Sequence, residues 1–309
     1  MKNWLIAVSV LLMVALLAAC GGDTEAESNA AEEKVAVKHE LGETEVPANP
    51  ENVVVFDFGI VDSLDELGVD IQGVAKDSLP DYLSHYNGEN YENIGGLKEP
   101  DFEAISQMDP DVIIISGRQS SVYDELSEIA PTIYLGVDTT KYMDSFQENM
   151  NTLGEIFEKE EEVDKQLADI ETNIEETHDK ASSMEDQGLI TLANDGKISA
   201  YGEGSRFGLI HDVLGVNPVD NSIESSTHGQ SVSFEYISEK DPDYLFVVDR
   251  GAVVGGESSA EKVMENELVK KTTAYEKDHI IYLDPQYWYL SGGGLQSVNA
   301  MVKEIQESL

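Results

Sequence analysis

Phe102-Glu-Ala-Ile-Ser-Gln-Met-Asp-Pro-Asp-Val-Ile-Ile-Ile-Ser-Gly-Arg118 returns without gaps as Phe234-Glu-Tyr-Ile-Ser-Glu-Lys-Asp-Pro-Asp-Tyr-Leu-Phe-Val-Val-Asp-Arg250, at a constant offset of 132 residues. Phe, Glu, Ile, Ser, Asp-Pro-Asp and the terminal Arg recur at matching places. In each copy a helical start beginning near Glu103 or Glu235 breaks at Asp-Pro-Asp and passes into an apolar run of strand length, Asp111 to Ile115 or Asp243 to Val248. Further upstream, Leu67-Gly-Val69 and Leu214-Gly-Val216 echo one another as helix endings. One matching motif is easily coincidence; a seventeen-residue block ending on the same charge is better explained by two lobes of one design.

Outward from the repeat the same grammar continues. Asn52 to Phe56 is another apolar run, and Ile60 to Gly68 reads as a helix closed by Gly68, a favoured residue just past a helix end. Strands separated by helices argue for α/β units with parallel sheets. Between the lobes, Met150, Leu153 and Ile156 mark one amphipathic helix. Val163, Leu167, Ile170 and Ile174 form a stripe on a second. From Glu160 to Met184 that second helix spans about 37 Å at 1.5 Å per residue, long enough to brace two lobes. Its charged faces read as solvated surface.

At the amino end, Lys2 precedes an apolar run from Trp4 to Leu17 that closes on Leu17-Ala-Ala-Cys20. This is a secretory signal with a small-residue cleavage site, and it is shorter than the roughly 20 apolar residues a spanning helix wants. The box resembles the bacterial lipoprotein signal, which implies cleavage before Cys20, lipidation of Cys20, and an extracytoplasmic protein anchored to the cell membrane. Cys20 is the only cysteine, so no disulfide forms within the chain. The polar, acidic stretch after it cannot bury enough surface to order itself. The expected organisation is therefore signal 1–19, lipidated Cys and tether 20–37, N-terminal α/β lobe 38–158, connecting helix 159–187, and C-terminal α/β lobe 188–309.

A formal charge of -42 excludes non-specific nucleic-acid binding, which needs a basic footprint. With 41% hydrophobic residues the chain is not disordered for want of a core. Near 1 M salt, where the Debye length is about 3 Å, most of its self-repulsion vanishes. Such a surface suits a saline habitat, or simply an acidic secreted protein.

The arginines locate the chemistry. There are three, Arg118, Arg206 and Arg250, against sixteen lysines. Arg118 and Arg250 follow strands of the repeat, one per lobe, where loops beyond the carboxyl ends of strands form the ligand crevice of α/β sheets. Guanidinium's planar fork and permanent charge suit oxyanions, so the cleft between the lobes is expected to hold an anion. Pairing with an acid, such as Arg250 with Asp249, accounts for one arginine more easily than for three. Two other segments stand out, the polar loop Ser225-Ser-Thr-His228-Gly-Gln-Ser231 and the aromatic-glycine run Gln286-Tyr-Trp-Tyr289-Leu-Ser-Gly-Gly-Gly294. A packing corner or helix entry accounts for the glycines better than a phosphate cradle, since no Lys-Ser or Lys-Thr follows them. His39, His85, His178, His211 and His279 show no metalloprotease spacing, and there is no Gly-x-Ser-x-Gly elbow. An extracellular metal-dependent hydrolase is thereby disfavoured, and a purely adhesive lipoprotein has no use for three cleft arginines.

Taken together, Gly117-Arg118, Asn194 to Gly202 with Ser205-Arg206, Ser226 to Ser231, Val248-Asp-Arg250 and Tyr287 to Gly294 resemble the siderophore-binding proteins of bacterial ABC iron importers, in the branch that takes petrobactin and related catecholates. The resemblance implies two Rossmann-like lobes joined by a long rigid helix, the helical-backbone or class III type of periplasmic binding protein. It also implies a monomer, no enzymatic activity and no permanent cofactor, with ferric iron carried as its siderophore complex and delivered to an ABC permease. Arg118, Arg206 and Arg250 then face the anionic siderophore. His228 and Tyr289, with Tyr287 the second choice, complete the iron shell of a four-donor siderophore and are spectators to a six-donor one. Glu103 and Glu235 are the implied permease-docking residues, unless they merely complement their helix dipoles. Within the binding class, another anionic chelate, a haem or a corrinoid is the competing ligand.

Overall fold

The computed structural model describes residues 33–309; the signal, Cys20 and most of the expected tether lie outside them. Residues 34 to 37, expected in the tether, instead form most of β1 (Lys34–His39), which pairs antiparallel with β2 (Gly42–Pro47). The reason is a period-2 alternation hidden among charges: Val35, Val37 and Val46 turn inward and are buried. The hairpin lies against β7 (Thr132–Tyr134) and the Tyr142–Phe157 helix, so the first lobe starts at Lys34.

The first lobe is built on a wholly parallel sheet of β3 (Val53–Val55), β4 (Gly73–Val74), β5 (Glu92–Asn93), β6 (Val112–Ile115) and β7, in the order β5-β4-β3-β6-β7. β3 and β6 are buried throughout, as expected of central strands covered on both faces. The second lobe differs from the expectation of parallel strands. Its path is β11 (Gln230–Val232), β9 (Lys197–Tyr201), β8 (Gln187–Asn194), β12 (Tyr244–Asp249) and β13 (Ile280–Leu283), with short β10 (Asn217–Pro218) beside β8. β12 runs parallel to β8 and β13, but β9 is antiparallel to β8, and β11 to β9. The reversal is made by Asp195-Gly196, with φ of 48° and 79°, the two-residue turn that strand twist favours. The end of the polar loop read at Ser225–Ser231 is thus β11.

The connecting helix runs Glu160–Ser182, about 35 Å. Val163, Ile170, Thr177 and Ala181 are its buried stripe. Three glutamates open it and Lys180 closes it, complementing its dipole. It packs on the Tyr142–Phe157 helix of the first lobe and on the C-terminal helix Leu295–Ser308. That last helix also contacts the Phe58–Glu66 helix of the first lobe, so the chain returns across the molecule after leaving it. One apolar core consequently extends from the first sheet through these helices to one face of the second, and a smaller core covers the other face of β8 and β12.

Candidate functional site

Each arginine stands where a strand ends. Arg118 follows β6 in a turn held by Gln119, whose buried side chain accepts from the Ser116 amide and reaches the Leu97 carbonyl. Arg206 lies on the loop after β9, where Gly204 takes φ of 64° and its carbonyl accepts from Ser225 and, across the cleft, from Thr139 of the first lobe. Arg250 opens the short helix after β12, capped by Asp249, whose carboxylate accepts from the Ala252 and Ala260 amides.

Tyr289 gathers all three. It sits on a π-helical turn, Gln286–Ser291. Its backbone carbonyl accepts from Arg206 Nη2 at 2.6 Å and from Arg118 Nη2 at 3.3 Å. Arg250 Nε donates to its hydroxyl at 2.8 Å and Arg250 Nη1 to Asn194 Oδ1 at 2.9 Å. The Arg206 guanidinium carbon lies 4.1 Å from the Tyr289 ring centre, within cation–π range. Among the described residues none of the three arginines has a carboxylate within 4.0 Å; the Asp249 carboxylate is occupied by amides instead. The pairing of Arg250 with Asp249 is therefore not made.

Electrostatics follow from this crowding. Burial and the charge of Arg118 hold Arg206 below the usual guanidinium range. For Tyr289, burial pushes the phenol up, but the Arg250 hydrogen bond and the charges of Arg206 and Arg250 outweigh it, so the hydroxyl ionises more readily than an ordinary tyrosine. Three guanidiniums around an acidified phenol, with no carboxylate among the described residues within 4.0 Å of any of them, leave their charge available to an incoming anion.

The cleft beside Tyr289 has a volume of about 1140 Å³ and is walled by both lobes. Arg118, Arg206, His228 and Tyr289 line it. Arg250 does not; it is half-buried at the Tyr289 hydroxyl, its guanidinium carbon 5.7 Å from the ring centre. His228 is exposed on the Ser226–Gly229 turn, whose Gly229 has φ of 69°. Tyr287 turns the other way, its ring 4.8 Å from that of Tyr82.

His178 is exposed on the connecting helix, and three other histidines are held locally. His211 is buried on the Val216 carbonyl, His279 stacks on Tyr244, and His85 meets Asp65 at 3.0 Å. No cluster of metal-ligating side chains occurs among the described residues. The exception is His39, which reasoning from sequence missed: with Lys38 and Glu40 it lines the cleft from the β1–β2 hairpin, where burial holds it below the usual imidazole range. The only signal for it was the Val35/Val37 alternation. Glu103 and Glu235 are both exposed in the first turns of their helices, after caps at Asp101 and Ser233.

The sequence profile of a family described as periplasmic binding protein matches residues 53–287. Over its whole length the chain is 50% identical to the petrobactin-binding protein YclQ of Bacillus subtilis, covering 99% of it. It is 31% identical, over 89% of its length and 87% of the relative's, to the ferric-anguibactin-binding protein FatB of Vibrio anguillarum. The crystal structure of YclQ superposes with a TM-score of 0.88 at 54% identity, covering 89% of this chain and 98% of that one. The catecholate-siderophore-binding protein VctP of Vibrio cholerae superposes with a TM-score of 0.85 at 35% identity, covering 89% of this chain and all of that one.

Proposed function

This chain belongs to the periplasmic binding protein family, and from that premise we propose that it captures a ferric catecholate siderophore of the petrobactin class in the inter-lobe cleft and delivers it to an ABC importer. It is a substrate-binding protein and not an enzyme. The observation that supports the ligand class is the Tyr289 hub, with Arg118 and Arg206 meeting on its carbonyl and Arg250 on its hydroxyl without a carboxylate in reach. Ferric iron is a hard cation that takes mostly oxygen donors. Catecholates leave its complex anionic, and guanidiniums in a partly desolvated cleft both neutralise and orient those oxygens.

Coordination depends on the siderophore. A bis-catecholate supplies four donors, and the Tyr289 phenolate with the His228 imidazole fills the two open positions. The lowered pKa of Tyr289 reduces the proton cost of that bond. A tris-catecholate closes the shell alone, leaving the pair as spectators.

Cys20 carries the lipid that tethers a monomeric receptor outside the cell, and Glu103 and Glu235 dock against basic residues of the permease, one from each lobe. Reversing both to Lys stops uptake while ligand affinity stays intact; normal transport by that variant removes them from the docking face. The function itself is tested by titrating the protein with ferric petrobactin, haem and a corrinoid while following Trp and Tyr fluorescence. Quenching by the ferric siderophore alone is expected. Saturable quenching by haem or corrinoid, with none by ferric catecholates, transfers the cleft to the competing ligand class.

A further inference from the structure

Asp62 is wholly buried, yet among the described residues no lysine, arginine or histidine lies within 4.0 Å of it. Burying a carboxylate without a cation is costly unless hydrogen bonds replace its water. Its donors come largely from the far end of the chain. Oδ1 accepts from the Gln296 amide at 3.2 Å, and Oδ2 from the Ser297 amide at 3.1 Å and the Tyr82 hydroxyl at 3.0 Å. Ser63 Oγ accepts from the Leu295 amide at 3.1 Å, and the Gln296 side chain returns bonds to the Asp62 carbonyl and the Asp65 carboxylate. The first turn of the C-terminal helix is thus seated on the Phe58–Glu66 helix of the other lobe.

The seat reaches to within two residues of Tyr289. The Tyr82 oxygen, having given its proton to Asp62, is 2.7 Å from Ser291 Oγ and accepts from it. The Tyr142 hydroxyl donates to the Gly292 carbonyl at 3.0 Å. The glycine run lets the two backbones touch: a Cβ on Gly294 would stand 2.1 Å from the Gly59 carbonyl oxygen, and one on Gly59 2.7 Å from the Ser291 carbonyl oxygen. On its other side, Trp288 Nε1 donates to Glu304 at 2.7 Å within the second lobe. Tyr289 therefore lies between an anchor in its own lobe and one in the opposite lobe.

We propose that Asp62 and Tyr82 are positioning residues for Tyr289: from the first lobe they fix the Ser291–Ser297 segment, and through it the carbonyl and ring on which the cleft arginines converge. An apolar pair would seat the helix more cheaply. A buried carboxylate bound to three donors fixes direction as well as distance, which a carbonyl shared by Arg118 and Arg206 requires. Neither residue lines the cleft, so each is placed to position rather than to contact a ligand there. The inference rests on the siderophore-binding reading only for its effect on affinity.

The test places a fluorotyrosine at position 289 of the whole chain and compares wild type, Tyr82→Phe, Asp62→Asn and the control Tyr244→Phe. The control also removes a hydroxyl hydrogen bond, to the Leu309 carbonyl, away from the cleft. In Tyr82→Phe and Asp62→Asn the 19F resonance is expected to shift or broaden in the unliganded protein, and affinity for ferric petrobactin to fall about tenfold, as when an outer partner of a metal ligand is removed. Tyr244→Phe leaves both unchanged even where it lowers melting temperature. An unmoved resonance in Tyr82→Phe, or a moved one with undiminished affinity, overturns the proposal. If wild type itself does not bind ferric petrobactin, the functional reading fails, and the 19F comparison alone decides the positioning role.

Discussion

The two copies of the repeat agree at one end and part company at the other. Asp111 accepts from the Glu51 and Asn52 amides at 3.0 and 2.8 Å, and Asp243 from the Gln187 amide at 3.0 Å, so in each lobe the second Asp of Asp-Pro-Asp locks the strand to the entry of its neighbour. The first Asp closes the preceding helix in the left-handed region, φ 49° at Asp109 and 46° at Asp241. Seven residues beyond Asp111 and Asp243 the equivalence ends. Arg118 lines the cleft and reaches the Tyr289 carbonyl, whereas Arg250 is absent from the cleft lining and holds the Tyr289 hydroxyl. Duplication sets where a residue stands; the Gln286–Gly294 segment, which crosses from one lobe to the other, decides how it is used.

The largest expected effect sharpens that difference. Arg206→Ala and Arg118→Ala each weaken ferric-siderophore affinity by about 1.5 to 3 kcal/mol, the range for hydrogen bonds to charged groups. Arg250→Ala costs about 1 kcal/mol, the net worth of an ordinary hydrogen bond, because it acts through Tyr289. If Arg250→Ala matches Arg118→Ala in titration, the repeat is functionally symmetric after all. At the agreeing end, Asp111→Ala and Asp243→Ala each lower unfolding free energy by about 1 to 2 kcal/mol, as expected when partnered backbone donors lose their acceptor. Affinity stays unchanged. Urea titration showing a loss in one lobe only breaks the equivalence.

A smaller effect separates two carboxylates by pH. At Asp243 burial pushes the pKa up, but the Gln187 amide and Lys277 outweigh it and hold it below the usual value. Its stabilisation is present above the unfolded pKa near 4 and is lost as pH falls through the lower folded value. At Asp62 burial dominates the hydrogen bonds from Ser297, Tyr82 and Gln296 and pushes the pKa up to about 7. The sign is opposite: the contribution is complete below pH about 4 and lost as pH rises through about 7. Asp62→Asn should flatten the decline in stability between about pH 4 and 7 seen by urea unfolding. Asp243→Asn should flatten only the acid limb. The reverse assignment contradicts the burial described for Asp62.

Much of the fold was legible because the repeat and the helix stripes are local patterns: β6, β12 and the connecting helix lie where Val112–Ile115, Tyr244–Val248 and Val163/Ile170 indicate. β1 was not, because its two inward valines sit among charges and gain their meaning only from Val46 and the Tyr142–Phe157 helix. The antiparallel β8–β9 turn had a signal, Asp195-Gly196, that the prevailing strand–helix rhythm masked. The arginines were legible by scarcity. That two of them share a backbone carbonyl was not, since main-chain acceptors carry no side-chain signature, and Asp62 looked like one of 61 acidic residues until its burial was seen.

If Tyr289 is where both lobes meet the iron centre, as proposed, the donor count of the siderophore must decide whether its hydroxyl matters. Wild type, Tyr289→Phe and His228→Ala are titrated by fluorescence with a four-donor ferric bis-catecholate and with a six-donor ferric tris-catecholate. The prediction is a loss of about tenfold or more in both variants for the four-donor complex, since each substitution removes a ligand to the metal, and little change for the six-donor complex, whose shell is already closed. Equal losses for the two complexes, or none for either, would contradict it.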